Sequence, residues 1–316
     1  MSSSSSTRVI IAALIGNSLI AVTKFIAAMI TGSSAMLSEG IHSLVDTGNQ
    51  ILLLYGLKAS KKPADERFPY GHGKEVYFWS FVVAILIFAV GSGVSLYEGV
   101  HRLLHPAPIE HVYINYLVLG LALVFEGAAW YFALREFKAV KGKWGYFEAV
   151  QRGKDPSMFV VLFEDSAAML GLLVAFIATL LTQFTGLLIF DGIASILIGI
   201  ILGGTAIWLA YETKGLLIGE SANRQVVEGI RAIAADYEKV EHVNEVLTMH
   251  MGPDYILVNL SIAFVDMASS DEVEEAIALI DRRIKQVYPR IKRVFIEAES
   301  RWQNISPTEQ ESVQTL

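Results

Sequence analysis

His42 and Asp46 stand four residues apart in a mainly apolar stretch, and Glu164 and Asp165 stand side by side in another. On a helix, side chains at i and i+4 differ by ~40° around the axis and ~6 Å along it. An imidazole nitrogen and a carboxylate oxygen so placed can close on one cation at ~2.0–2.2 Å. Glu39, three residues before His42, falls on the same face. The spacing equally suits a His–Asp hydrogen bond stitching two helices together. The second acidic pair favours a metal, because two unpaired carboxylates in apolar surroundings are hard to keep ionised without a cation. A histidine with carboxylates and no thiolate is a hard or borderline donor set, suited to Zn²⁺, Mn²⁺, Co²⁺ or Fe²⁺. The chain has no cysteine, which excludes disulfides, thiolate metal sites and cysteine catalysis.

The elements that must carry these residues are membrane-like. Of 316 residues, 53% are hydrophobic and only 18% charged, with a mean hydropathy of +0.47. A disordered chain, a coiled coil and a nucleic-acid binder are excluded. A bilayer core of ~30 Å needs ~20 apolar helical residues, and six stretches approach this: 9–30, 36–58, 77–100, 112–135, 157–182 and 188–212. Lys58, Lys61, Lys62, Arg67 and Lys74 fill the connection between spans two and three. Arg135, Lys138, Lys141, Lys143, Arg152 and Lys154 fill that between spans four and five, whereas the other three connections hold only Arg102. The positive-inside rule then places both termini in the cytoplasm. A multi-pass protein of the cell membrane is the expectation.

Residues 1–214 carry 15 basic and 15 acidic side chains, and residues 215–316 carry 10 and 17. The acidic excess thus belongs wholly to the tail, which should bind neither nucleic acid nor anionic lipid through bulk charge. The expected organisation is a loose, Ser-rich start over 1–8, a six-helix membrane domain over 9–214, a soluble domain over 215–299 and a flexible end over 300–316. Within the soluble domain, 224–237 and 271–287 have helical spacing, while 243–249, 256–265 and 293–298 read as strands. Gly252-Pro253-Asp254 turns between the first two strands. The order αββαβ fits a small open α+β layer.

Ionisable groups at membrane depth cost ~2.5–3.5 kcal/mol each on insertion scales and are usually functional. Besides those above, the spans hold Lys24, Glu98, Glu126 and Asp191. Glu98 and Asp191 lie near span ends and can reach interfacial water. Glu126 is deep, and either pairs with Lys24 or lies near the candidate metal site. Asn17 and Lys24 share a face of the first span, where a hydrogen-bonding or ion-pairing role suits them, since a protonated lysine cannot ligate metal. Lys74 and Glu220, just inside the third span and just past the sixth, are expected to interlock by charge, within or between subunits. Gly91, Gly93, Gly199, Gly203 and Gly204 allow close helix approach.

Residues 32–46, GSSAMLSEGIHSLVD, resemble the second-span signature of the cation diffusion facilitators, and residues 68–74, FPYGHGK, resemble the loop that follows it. Asp165 with Gly171, Asp191-Gly192 and the αββαβ tail extend the resemblance over 9–299. It implies a six-span homodimer that exports Zn²⁺ or a related ion from the cytoplasm against protons. It also implies a ferredoxin-like cytoplasmic domain that mediates dimerisation. The family's transport ligands fall on His42, Asp46, position 161 and Asp165. Position 161, where the family usually has His or Asp, is valine here, and the run VLFED at 161–165 resembles the branch that contains zinc transporter nine. Glu164, ~60° around the helix from position 161, is the expected substitute. Alternatively Glu39 or water completes the shell and Glu164 is protonated or hydrogen-bonded elsewhere.

A loop metal site used by some relatives would need Asp65, position 68 and His72, but position 68 is Phe68, leaving at most a weak one. The tail positions that carry bridging histidines in some relatives are Asn244 and Leu260, and His242 and His250 are off that pattern, expected in solvent. His101, His105 and His111 flank an outer loop that could catch released metal. No permanent cofactor is expected, only the transported cation. A proton-coupled exporter is the leading reading, with His42 as coupling group because an unperturbed imidazole titrates near pH 6.5. The alternatives are a metal-permeable channel or sensor, and an intramembrane metalloenzyme, against which no HExxH motif is present.

Overall fold

The protein is described here by a computed structural model covering residues 3–108, 111–142, 144–152 and 156–301. The chain forms two compact units, Met1–Leu217 and Ile218–Leu316.

The first unit is helical: α1 (Ser3–Thr31), α2 (Ser34–Ala59), α3 (Glu75–Leu86), α4 (Gly93–Leu104), α5 (Val112–Lys141), α6 (Tyr146–Arg152), α7 (Pro156–Thr185) and α8 (Ile189–Ile218). A π-helical turn over Ile87–Ser92 joins α3 to α4 in one rod. Among the described residues, four stretches are long and apolar enough to cross a bilayer: Glu75–Leu104, Val112–Arg135, Phe159–Thr185 and Ile189–Ile218. In α1 the described apolar part is Asn17–Thr31. Helix begins at Ser3, where the composition suggested a loose start over 1–8. Once a helix is nucleated, adding residues of only moderate propensity costs little.

α2 is the polar spine of this unit. It packs against α1, α3, α4 and α7, and its polar side chains point inward: Ser34, Ser38, Glu39, His42, Ser43 and Asn49 are buried, while Leu44, Ile51 and Tyr55 are exposed. A water-soluble helix has the opposite arrangement, and apolar-out with polar-in suits lipid surroundings. Close approach of α4 and α8 depends on missing side chains. A Cβ on Gly99 would lie 2.7 Å from the Ile196 backbone nitrogen, and one on Gly199 would lie 2.7 Å from Leu96 Cγ.

The second unit contains α9 (Arg224–Ala235), β1 (Val240–Gly252), β2 (Tyr255–Phe264), α10 (Ser270–Val287) and β3 (Ile291–Ala298). β1 and β2 form an antiparallel hairpin turning at Pro253-Asp254, and β3 adds parallel to β2 after α10 crosses over, giving the order β1-β2-β3. Ile230 and Ala234 from α9 and Ile280 and Ile284 from α10 pack with Val258, Leu260 and Ile262. The α10 N-terminus is a capping box in which Ser269 and Glu272 satisfy each other's backbone N–H groups. The expected loose end lies largely outside the described residues.

Candidate metal site

The inward-facing polar side of α2 meets α1, α5 and α7 around a cavity of about 240 Å³. Asn17, Ser43, Asp46, Gln50, Glu126 and Asp165 supply its polar lining, with Val161 among the apolar residues. Position 161 therefore faces the same space as Asp46 and Asp165. His42 does not line the cavity. It lies beside Asp46, Nδ1 3.3 Å from Oδ1, with its side chain 1% exposed. Neither ring nitrogen, nor Asp46 Oδ1, makes a hydrogen bond among the described residues. Buried polar atoms left in that condition are costly, and a cation drawn between imidazole and carboxylate satisfies both. Among the described residues no three His, Asp or Glu side chains are already gathered into a metal shell. Loading a metal here would require side chains to close on it.

Glu164 is placed by a residue that hydropathy and spacing did not single out. Asn49, one turn beyond Asp46 on the same face of α2, donates from Nδ2 to Glu164 Oε1 at 2.6 Å. The Glu164 carboxyl also reaches hydrogen-bonding range of Asp46. It is buried and is absent from the cavity lining. Two carboxyl groups that close must share a proton or a cation.

Lys24 is fully buried and makes three contacts: Glu126 Oε1 at 2.8 Å, Ser43 Oγ at 2.8 Å and Glu39 Oε2 at 3.1 Å. Glu126 thus pairs with Lys24 and also lines the cavity. Among the described residues, five carboxyl groups (Glu39, Asp46, Glu126, Glu164 and Asp165) lie in or beside this region with one ammonium, which pairs with Glu39 and Glu126. In surroundings of low polarity such an excess is tolerated only with bound protons or a bound cation.

Asp191 does not reach interfacial water as its position near a span end suggested. It is 1% exposed and closes the start of α2, accepting from Ser33 Oγ (2.6 Å), Ser34 N (2.8 Å), Ser34 Oγ (2.8 Å) and Ala35 N (3.3 Å). Arg102 Nε adds a contact at 3.2 Å, and Arg102 Nη2 donates to Gly32 O at 2.6 Å. The Asp-Gly step opening α8 and the SS pair opening α2 were legible signals, but their pairing was not.

In the loop before α3, His72 Nε2 and Asp65 Oδ2 lie 2.9 Å apart, and the Phe68 ring packs on His72 with centroids 4.6 Å apart. The bond to His72 holds the Asp65 carboxyl below its ordinary range. Lys74 Nζ reaches Leu217 O at 3.4 Å, and partial burial lowers the pKa of its ammonium. The Glu220 carbonyl accepts from His250 N at 3.0 Å. His250 is buried at the end of β1, against the expectation of a solvated side chain, whereas His242 is exposed. Leu260 belongs to the sheet core, and Asn244 donates to Ser261 Oγ and Ser300 O, both at 3.1 Å. The rings of His101 and His105 lie 4.9 Å apart, while His111 packs on Tyr113.

The cation efflux transmembrane domain model matches residues 10–218. The chain is 35% identical over 259 residues to the mitochondrial proton-coupled zinc antiporter SLC30A9 of Xenopus laevis, covering 81% of this chain and 46% of that protein. It is 32% identical over 250 residues to metal tolerance protein C4 of Arabidopsis thaliana, covering 78% and 55%. It is 22% identical over 293 residues to the manganese efflux system protein MneP of Bacillus subtilis, covering 92% and 95%. The chain spans about half the length of the first two of these relatives.

Proposed function

The chain belongs to the cation efflux family, the cation diffusion facilitators, in the zinc transporter nine branch, and on that premise we propose that it exports divalent metal cations in exchange for protons, zinc first among them. Members of this family are transporters and not enzymes. The observation that supports the reading is the cavity lined by Asp46 from α2 and Asp165 from α7 with His42 beside Asp46, in a bundle that has, among the described residues, four stretches long and apolar enough to span a bilayer.

α1 and α2 complete a six-span domain, the polar α2 crossing the bilayer shielded by its neighbours. The Lys/Arg-rich connections and both termini lie in the cytoplasm of a cell membrane. The αββαβ unit is a ferredoxin-like domain through which two copies form a homodimer. His42, Asp46 and Asp165 are the metal ligands, and no resident cofactor takes part. Each must shed protons to ligate: imidazole must be neutral and the carboxyls ionised. Loading from one side therefore releases protons, and reprotonation from the other displaces the ion. Proton and metal compete for the same lone pairs, which couples their fluxes without a separate proton path.

The test is flux in proteoliposomes with Zn²⁺ and Mn²⁺ in parallel. Zinc uptake driven by an imposed pH gradient, and abolished in Asp46→Ala that still folds, is the expected result. Zinc flux indifferent to the pH gradient would make the protein a channel. Wild-type transport by Asp46→Ala would remove the cavity from the ion path.

A further inference from the structure

We propose that Glu126 supplies the ligand that Val161 lacks, held toward the cavity by Lys24. The inference rests on the transport reading above. Val161 lines the cavity together with Asp46 and Asp165, yet an isopropyl group cannot coordinate. Glu164 accepts from Asn49 at 2.6 Å through Oε1, lies beside the Asp46 carboxyl and does not line the cavity. Glu126 enters the same cavity from α5. Its two oxygens are differently employed: Oε1 accepts from Lys24 Nζ at 2.8 Å, and Oε2 is buried without a hydrogen bond among the described residues.

A carboxylate fixed at one oxygen by a donor and bare at the other is arranged as a metal ligand commonly is, oriented from behind by a hydrogen bond. Lys24 acts as a positioning residue. It cannot itself ligate while protonated, and it does not depend on Glu126 alone, since Glu39 and Ser43 hold the same ammonium at 3.1 and 2.8 Å. The resulting set is one imidazole and three carboxylates, with the third carboxylate drawn from α5 and not from α7. Binding would then tie α5 to α2 and α7, so that a third helix senses the cargo.

Calorimetric zinc titration of the full chain in detergent tests this. Glu126→Gln keeps an acceptor for Lys24 but removes the anionic ligand, and it should weaken zinc at least ~10-fold, the lower end of what losing even an orienting partner costs. Adding Val161→Asp to Glu126→Gln should recover that loss. Should Glu126→Gln fail to fold, Glu126→Asp preserves the charge but withdraws the oxygen by one methylene, and zinc affinity should again fall ~10-fold or more. Unchanged affinity in either folded variant, or no recovery on adding Val161→Asp, would make Glu126 only a counter-charge for Lys24 and overturn the proposal. Asp46→Ala in the same titration separates the two readings. Zinc affinity lost there but kept in Glu126→Gln sinks this inference alone, whereas affinity kept in Asp46→Ala sinks the transport site with it.

Discussion

Replacing Asp191 by alanine removes the acceptor on which the start of α2 depends. Ser33 Oγ, Ser34 N, Ser34 Oγ and Ala35 N lose their shared partner, and Arg102, with its side chain 11% exposed, keeps Gly32 O as its one hydrogen-bond partner among the described residues. Stripping one member from a buried ion pair costs ~3–5 kcal/mol, and loss of a helix cap ~1 kcal/mol. Because a single carboxylate serves both roles the two do not add, and about 4 kcal/mol is the expected loss. Arg102→Ala should cost less, ~1.5–3 kcal/mol for one charge-assisted bond, because Asp191 retains its contacts with Ser33, Ser34 and Ala35. The double variant should cost hardly more than Asp191→Ala alone, since the stranded guanidinium is gone. That corresponds to a coupling of ~1–3 kcal/mol. Equilibrium unfolding in mixed micelles, followed by tryptophan fluorescence, measures all four corners of this cycle. Asp191→Ala no more damaging than Arg102→Ala, or costs that simply add, would refute the view that Asp191 caps α2 and holds Arg102 at once.

Gly99→Ala forces a methyl group to 2.7 Å from Ile196 N and 2.9 Å from Gly192 O, backbone atoms that cannot swing aside. A loss of ~1–3 kcal/mol is expected, and an unchanged melting curve would show that α4 and α8 are not packed this closely. Asn49→Ala withdraws the donor at 2.6 Å from the buried Glu164 carboxyl. It should destabilise the bundle by ~1–3 kcal/mol, and wild-type stability would mean that Glu164 is satisfied elsewhere. Lys239 and the Ser269 cap depress the Glu272 pKa from 4.5 to about 2. Since the folded-state value is the lower one, this contribution to stability is complete above the ordinary carboxylate range and is lost as pH falls through about 2. Carboxyl-carbon NMR should place the Glu272 midpoint near that value, and a midpoint above 4 would break the assignment.

Much of the architecture was legible because it depends on local patterning. Alternation along β1 and β2, helical spacing along α9 and α10, and the Pro253-Asp254 turn are each a property of neighbouring residues, so the order αββαβ could be read directly. Ends were less certain: β1 runs over Val240–Gly252, longer than 243–249, because ladder pairing with β2 extends it beyond the alternating core. The seven-residue α6 was missed, being too short for a hydropathy window and set apart only by its place after Gly142. Family membership was legible too, since the GSSAMLSEGIHSLVD and FPYGHGK runs are contiguous.

The partnerships inside the bundle were not legible in this way. Helical periodicity states which residues share a face, so Glu39, His42 and Asp46 could be grouped, as could Asn17 and Lys24. It does not state which helix lies opposite that face. Lys24 meets Glu126 across 102 residues of chain, Asn49 meets Glu164 across 115, and Ser33 meets Asp191 across 158. In low-polarity surroundings each such group must find a partner, and sequence alone makes that demand plain for Lys24, Glu126 and Glu164 alike. Only packing decides how it is met, because moving a helix by one turn exchanges one acceptor for another at little cost in local structure. That is why Glu164, nearest to Val161 in sequence, ended on Asn49, while Glu126, from a different helix, came to line the cavity beside Val161.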